Sequence, residues 1–458
     1  MIMLTRENYQ LTRHPVGSSA EIWTICWPLM LSFCSSSFML FADRLYLAHY
    51  GVASMNAMAV AANFCFLVLI FPFGICEITE VFVGRYHGEH KHELVGRPTW
   101  QIIWLAIASW PLFFLASYLL SQVLFTPGSL ESTYIYTFLG FGPFLLISLA
   151  LTGFFVGIGN TRIITVATIT ANLLNIALAP ILIFGTPFSP ALGIKGAALA
   201  AGISQTFQAL FLFVRFLQKK IRDEFATKNC SIDFPLTKEM LRIGLPAGTS
   251  RSIEVLSHCA FFYIMAKAGP EQLTIATIVQ SFFLLVVFTN DAISKGVTAI
   301  VSNIVGAQVY TLIPKVLRAA YKLMGVLFVI ATLLCVSLAD NLFEFVLHEE
   351  DKLLLADESF VFTLKICLSL MCLFFLFDGF WWIVIGHLTA IGDTKFILYA
   401  NALSQWFVYV IPTYLLVMYA DGGALCGWSM VTLNSMVLFG LFWYRSRTQL
   451  KKVLGTIA

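Results

Sequence analysis

The chain has 458 residues, of which 59% are hydrophobic against roughly 45–50% in a soluble domain, and 12% charged against roughly 25%. That balance excludes an ordinary soluble globule and a disordered chain, and it predicts a polytopic membrane protein. The formal net charge of +3 decides little by itself. The ten cysteines fall mostly inside apolar segments with no CxxC or Cys/His spacing, so they read as small core residues and not as a metal or redox motif.

Apolar segments of spanning length fall at 22–48, 56–83, 99–124, 133–157, 163–185 and 193–217, then at 241–266, 274–305, 317–339, 360–388, 396–419 and 423–444. The first begins near Ile22 without a small-residue cleavage site, so it reads as a retained helix. The fold expected is an all-α polytopic membrane protein, with twelve transmembrane helices in two pseudo-symmetric six-helix bundles. The lobes are 1–217 and 241–458, joined by the polar segment 218–240 as a cytoplasmic linker. Pro28, Pro143, Pro180 and Pro412 are expected kink points. With both termini on one side, 21 of the 28 Lys and Arg residues collect on that side, among them Arg6, Arg85, Lys219 and Arg445. Only Lys195, Lys267 and Lys352 fall opposite, together with the acidic run Asp340–Glu358, which reads as a solvated loop. The positive-inside rule makes the basic side, and both termini, cytoplasmic.

The two groups of six repeat one another. Trp27-Pro28 opens the first helix as Leu245-Pro246 opens the seventh, and Val81–Gly88 (VFVGRYHG) ends the second as Ala299–Gly306 (AIVSNIVG) ends the eighth, at the same offset along the chain. Gly159-Asn160-Thr161-Arg162 pairs with Gly392-Asp393-Thr394-Lys395, and Gly193–Ala198 with Ala420–Leu425, at slightly larger offsets. Four matches in one order imply two halves of the same topology about an axis along the membrane normal.

Ionisable residues inside spanning segments are the functional candidates, because a charge at the bilayer centre costs at least ~2.5 kcal/mol. Asp378 stands in the apolar run Cys372–Phe396, and helix 7 carries Arg251, Glu254 and His258 on one face. At ~1.5 Å per residue, Glu254 and Asp378 lie ~20 Å and Asn175 ~18 Å from the cytoplasmic edge, near mid-bilayer. Two readings of the helix-7 cluster stay open: a structural Arg251–Glu254 pair with His258 as a core residue, or a proton-responsive group. Glu77 and Lys295 occupy equivalent places in the two halves, at the offset that relates Pro28 to Pro246. Either they pair across the lobes, or Lys295 pairs locally with Asp291 at i, i+4.

The ordered set Pro28 with Asp43, Gly84…Gly88, GIGNTR at 157–162, Asn172 and Asn175, GIKGAA at 193–198, Ile243–Ala247, Asp378 and GDTK at 392–395 resembles the multidrug and toxin extrusion (MATE) family over most of the chain. The resemblance implies two six-helix bundles about a central cleft, and export of lipophilic or cationic small molecules against inward Na⁺ or H⁺. It implies no cofactor and no metal beyond Na⁺, and a cation-coupling set of Glu254, Asp378, Asp43 and Asn175, with Asn172 beside them. One group of relatives uses an N-lobe site matched by Asp43 and Asn175, but Ala179 and Ala201 stand where those relatives carry Asp and Thr. Another uses a C-lobe site matched by Glu254 and Asp378, with Phe374 in place of a Tyr. The C-lobe is the favoured coupling site. The alternative within the wider superfamily is a flippase for lipid-linked oligosaccharides, which the count of twelve helices and the few buried basic residues disfavour.

No HExxH, GxSxG with a partnered base, or GxGD motif is present, so an enzyme is not expected. The expected partners are a small-molecule substrate and membrane lipid, with no nucleic acid, and the expected state is a monomer in the cell (inner) membrane.

Overall fold

The structure, a computed structural model, describes residues 11–187, 190–346 and 358–455, without the side chains of 284–286, 336 and 338–346. Arg6, Lys352 and most of the acidic run 340–358 therefore lie outside the described residues.

The described chain is helical: α1 (Ser19–Tyr50), α2 (Val52–Cys76), α3 (Ile78–Gly88), α4 (His92–Val95), α5 (Arg97–Ala108), α6 (Trp110–Val123), α7 (Leu130–Leu139), α8 (Gly142–Gly157) and α9 (Thr161–Phe184) are followed by α10 (Ile194–Phe216) and α11 (Lys219–Phe225). Then come α12 (Phe234–Ala268), α13 (Pro270–Gly306), α14 (Ile313–Val346), α15 (Glu358–Ile391), α16 (Thr394–Ser404), α17 (Ile411–Tyr419) and α18 (Gly423–Gly455). A π-helical turn, Gln405–Val410, joins α16 to α17. Among the described residues, eight stretches are long and apolar enough to cross a membrane, and three bent pairs bring the total to eleven. The remaining expected span is α12, whose 35 residues include Lys238, Glu239, Arg242, Arg251 and Glu254. Its charge keeps it from reading as a span by composition alone. Large apolar side chains such as Phe38, Leu112 and Phe407 stand exposed on these helices, as a hydrocarbon solvent allows.

Bends follow backbone chemistry. α7 and α8 meet at 45° across Gly140-Phe141-Gly142, with Pro143 in the first turn of α8. α4–α5 meets α6 at 42°, where Pro111 plays the same part. Pro28 and Pro180 lie inside α1 and α9 without breaking them. The Pro28 carbonyl accepts from Ser32 Oγ at 2.9 Å and from Thr165 Oγ1 at 2.7 Å, which ties α1 to α9 at that point.

The polar stretch 218–240 is ordered and fastened to α5. Trp100 Nε1 donates to the Thr227 carbonyl at 2.8 Å, Trp104 Nε1 to that of Cys230 at 3.0 Å, and Gln101 Nε2 to that of Ser231 at 3.0 Å. Gln101 Oε1 accepts from Asp233 N, and Thr227 Oγ1 donates back to the Phe216 carbonyl. Residues 226–233, between α11 and α12, have no secondary structure of their own and must find partners for their peptide groups, and the indole and amide donors of α5 supply them.

The internal repeat is realised in torsion angles. Gly159 and Gly392 have φ of +73° and +86°, and each closes its helix with the same bond pair. Gly159 N to Val156 O and Asn160 N to Phe155 O are matched by Gly392 N to Thr389 O and Asp393 N to Leu388 O, all 2.8–2.9 Å. This is a Schellman C-cap, and the next helices start at Thr161 and Thr394. A second equivalent pair, His90 and Gln308, takes φ of +56° and +59° with the same two-bond pattern, although neither is glycine. Gly193 (φ +53°) is matched in torsion by Gly423 (φ +54°). Asp421, one residue after Ala420 in the matching segment, has φ +50° as well.

By contact the chain divides into two compact units, one holding Thr24–Gly248 and Ser302–Val309, the other Arg13–Trp23, Thr249–Val301 and the chain from Tyr310 on. In the first unit, α3 packs against α8, α9 against α10, and α2 against α7. The C-terminal ends of α3 and α13 also meet in this unit, backbone on backbone. A Cβ on Gly88 would overlap the Asn303 carbonyl oxygen, and a Cβ on Gly306 would overlap that of Arg85. The four residues are two repeat-related pairs, each glycine resting on the residue three before the other. Asn303 completes the junction: its Nδ2 donates to the Gly157 carbonyl at 2.8 Å, and its Oδ1 meets His87 Nδ1 at 2.7 Å. In the second unit α15 packs along α18 and against α14.

Candidate functional site

In the second unit Asp378 sits in the middle of α15 and is 3% exposed. Burying a carboxylate demands compensating partners, and two N–H groups supply them. Asn290 Nδ2 on α13 donates to Oδ2 at 2.7 Å, and Trp381 Nε1, one turn along α15, donates to Oδ1 at 3.1 Å. Glu254 and Arg251 of α12 lie within electrostatic reach of the same carboxylate. Arg251 Nη2 also meets Asp291 Oδ1 of α13 at 3.5 Å, and its guanidinium lies 4.0 Å from the centroid of Trp382. Three helices thus bring two acids, a third carboxylate and one guanidinium to one place. Asn290 Oδ1 is buried there without a hydrogen-bond partner among the described residues. Asp291 is a partner for Arg251 beyond the Glu254 expected from helical spacing. Asn290, Asp291 and Trp382 are site residues that the periodicity of α12 alone could not reach, although an Asn-Asp pair inside an apolar run is a readable signal.

His258 leaves this cluster sideways: its Nδ1 meets the Glu254 carbonyl at 3.0 Å, and its ring lies 6.1 Å from that of Tyr409.

The first unit holds the other acid. Asp43 of α1 is 5% exposed and Asn175 of α9 fully buried. They are neighbours whose geometry falls short of a hydrogen bond, so Asp43 Oδ1, Asn175 Oδ1 and Asn175 Nδ2 are all buried without a partner among the described residues. Asn172 is satisfied, its Nδ2 donating to Ser35 Oγ at 2.9 Å and to Ser36 Oγ at 3.2 Å. Ala179 is fully buried beside Asn175 on α9, and Ala201 of α10 is 8% exposed. The two buried acids therefore differ: Asp378 has both oxygens occupied by donors, whereas Asp43 and Asn175 present free oxygens. Glu77 falls at the α2–α3 junction in the first unit and Lys295 on α13 in the second.

Buried acids on apolar helices, and a plan repeated in torsion and sequence, are features of a membrane transporter. The family model described as MatE matches residues 28–181 and again residues 246–415, so the chain belongs to the MatE family, that of multidrug and toxin extrusion. The two matches start at Pro28 and at Pro246, the equivalent prolines of the internal repeat.

The chain is 23% identical over 416 residues to the uncharacterized transporter YisQ of Bacillus subtilis, covering 88% of each. It is 29% identical over 240 residues to the probable multidrug resistance protein NorM of Agrobacterium fabrum, covering 50% of this chain and 51% of that one. Among solved structures it resembles an outward-facing multidrug resistance MATE family transporter of the MOP superfamily, with a TM-score of 0.84 at 17% identity over 96% of this chain and 97% of that one. At that identity the likeness speaks for the fold.

Proposed function

We propose that the protein is a secondary antiporter that exports lipophilic or cationic small molecules in exchange for inward Na⁺ or H⁺, with both termini cytoplasmic. The observation that carries the reading is Asp378: a carboxylate 3% exposed at the middle of a spanning helix, within electrostatic reach of Glu254 and Arg251. A buried acid of this kind is expensive to keep and marks an ion or proton path. The two N–H donors hold both oxygens of the carboxylate, and a bound cation or proton would compete with Arg251 for it. The family membership and the NorM relatives support the substrate class, and the weight of Lys and Arg on one side supports the orientation.

The main coupling site in this reading is Glu254 with Asp378. Asp43 with Asn175 is a second cation site whose free oxygens suit Na⁺ better than the already satisfied carboxylate of Asp378. The alternating-access motion would bias which of them faces solvent. The test is transport of a fluorescent lipophilic cation into everted vesicles under separate Na⁺ and H⁺ gradients. Glu254→Gln and Asp378→Asn should each remove gradient-driven export. Export unchanged in both variants ends the proposal.

A further inference from the structure

In the second unit α14 and α18 both pack on α15, and four rings from the three helices meet along the seam. The ring of Tyr321 on α14 lies 5.3 Å from that of Phe380 on α15 and 6.2 Å from that of Phe439 on α18, between centroids. Phe380 and Phe377 of α15 lie 5.4 and 6.1 Å from Phe439. All four rings are partly exposed, so they form a surface strip and not core. The flanks of the strip are cut away. Gly325, one turn beyond Tyr321, and Gly440, next to Phe439, each face open space, where an added Cβ would meet nothing within 4 Å. Val326 and Val329 stand exposed further along α14, as they would toward acyl chains.

The strip ends in charge. Arg447, two turns after Gly440 on one face of α18, lies 4.1 Å from the centroid of Trp443 and within electrostatic reach of Tyr321. Arg318, one turn before Tyr321 on α14, is exposed. Neither guanidinium forms an ion pair among the described residues, whereas Arg445, two residues before Arg447, is held by Asp393 at 2.6 Å. Trp443 itself is 39% exposed. A tryptophan beside an arginine at the end of an apolar span is the pattern of the headgroup border.

We infer that this strip is a binding site for one anionic phospholipid. The phosphodiester sits between Arg447 and Arg318, with the Tyr321 hydroxyl as a further donor. An acyl chain runs from there over Phe380, Phe439 and Phe377, through the notches at Gly325 and Gly440. Guanidinium groups take phosphate oxygens bidentately and stay charged at every accessible pH. The apolar strip that continues from them selects a phosphate carrying a chain over one free in solution. A zwitterionic headgroup would bring its own cation to two arginines that lack a counter-charge, so the anionic lipid is preferred. Phe377 and Phe380 stand either side of Asp378 in the sequence of α15, so the chain would brace the helix that carries the buried acid. The occupant is not the exported molecule, and the assignment does not rest on the antiport reading.

The experiment is quenching of Trp443 fluorescence in the full-length protein, reconstituted in phosphatidylcholine vesicles with one part in about ten of phosphatidylglycerol, bromine being placed on the acyl chains of one lipid or the other. Each protein is read against its own Trp443→Phe blank, so that the signal is that of Trp443. The wild type should bind phosphatidylglycerol over phosphatidylcholine by at least about fivefold, the effect of one cation near the surface, and Arg447→Gln should lower that preference by about fivefold. Arg447→Lys, which keeps the charge without the fork, should retain part of it. Lys220→Gln removes a charge from α11 in the other unit and should leave the preference unchanged. Soluble glycerol phosphate, a headgroup without chains, should not displace the brominated phosphatidylglycerol. Equal binding of the two lipids by the wild type, or a preference that survives Arg447→Gln, overturns the assignment. So does an equal loss in Lys220→Gln, which would mean surface potential alone, or displacement by glycerol phosphate, which would mean a site for free phosphate.

Discussion

Replacing Gly88 by alanine tests the backbone junction between α3 and α13. The added Cβ would lie far inside 3.0 Å of the Asn303 carbonyl oxygen, a separation that real Cβ contacts essentially never show. The opposing atom is backbone, so it cannot rotate aside, and the helices must part. Overpacking of this sort costs roughly 1–3 kcal/mol. The same movement stretches the Asn303 bonds to Gly157 and His87, now 2.8 and 2.7 Å, each worth about 0.5–1.5 kcal/mol. The expected total is about 2–6 kcal/mol. Gly306→Ala meets the Arg85 carbonyl in the same way and should cost a similar amount. The double variant should cost little more than either single change, because the first methyl has already parted the backbones. The assay is the apparent Tm of the purified protein. The controls are Gly325→Ala and Gly440→Ala, where an added Cβ meets nothing within 4 Å. There alanine should gain up to about 1 kcal/mol from helix propensity. If Gly88→Ala and Gly306→Ala raise Tm as the controls do, the close approach does not exist and the reasoning fails.

Three further outcomes follow from named contacts. Asn303→Leu removes both side-chain bonds and strands the Gly157 carbonyl, so Tm should fall by the equivalent of about 2–4 kcal/mol, while His87→Ala should lower it by less. Trp100→Phe keeps the ring but loses the 2.8 Å bond to the Thr227 carbonyl, so limited proteolysis between α11 and α12 should quicken with little change in Tm; unchanged cleavage would mean that the indole does not hold the segment. Arg445 grips Asp393 through two nitrogens, at 2.6 and 3.3 Å, and lies over Phe396 at 4.9 Å. Arg445→Lys should therefore recover less than half of the roughly 1–2 kcal/mol that Arg445→Ala removes, as read by thermal unfolding.

The helices were largely legible because each had to cross an apolar slab, and length and hydropathy report that directly. Their ends ran further than expected, as at α12, which starts at Phe234 and not near 241. The last turns are polar, so hydropathy stops counting them while the backbone goes on hydrogen bonding. Asp378 and Asp43 were legible for the opposite reason, as costly residues in the wrong solvent. Their surroundings were not. Asn290 reaches Asp378 from 88 residues away, and Arg251 reaches Asp291 across 40, contacts that helical periodicity on one segment cannot encode. The π-turn at Gln405–Val410 left no mark either, since its residues are as apolar and helix-tolerant as their neighbours. The segment between α10 and α12 read as a linker because it is polar, and polarity does not say whether the missing partners are water or, as here, the indoles of α5.

The turns that close α3 and α13 hold left-handed torsions on His90 and Gln308, where a glycine would be the easy choice. Their shape is thus inherited from the duplicated plan and not from the residues that now occupy it. The two halves have drifted apart in side chains while keeping one set of hinges. Residue-by-residue matching between them consequently understates their kinship, and a chimera exchanging 157–162 with 390–395 should leave the flanking helices as they stand.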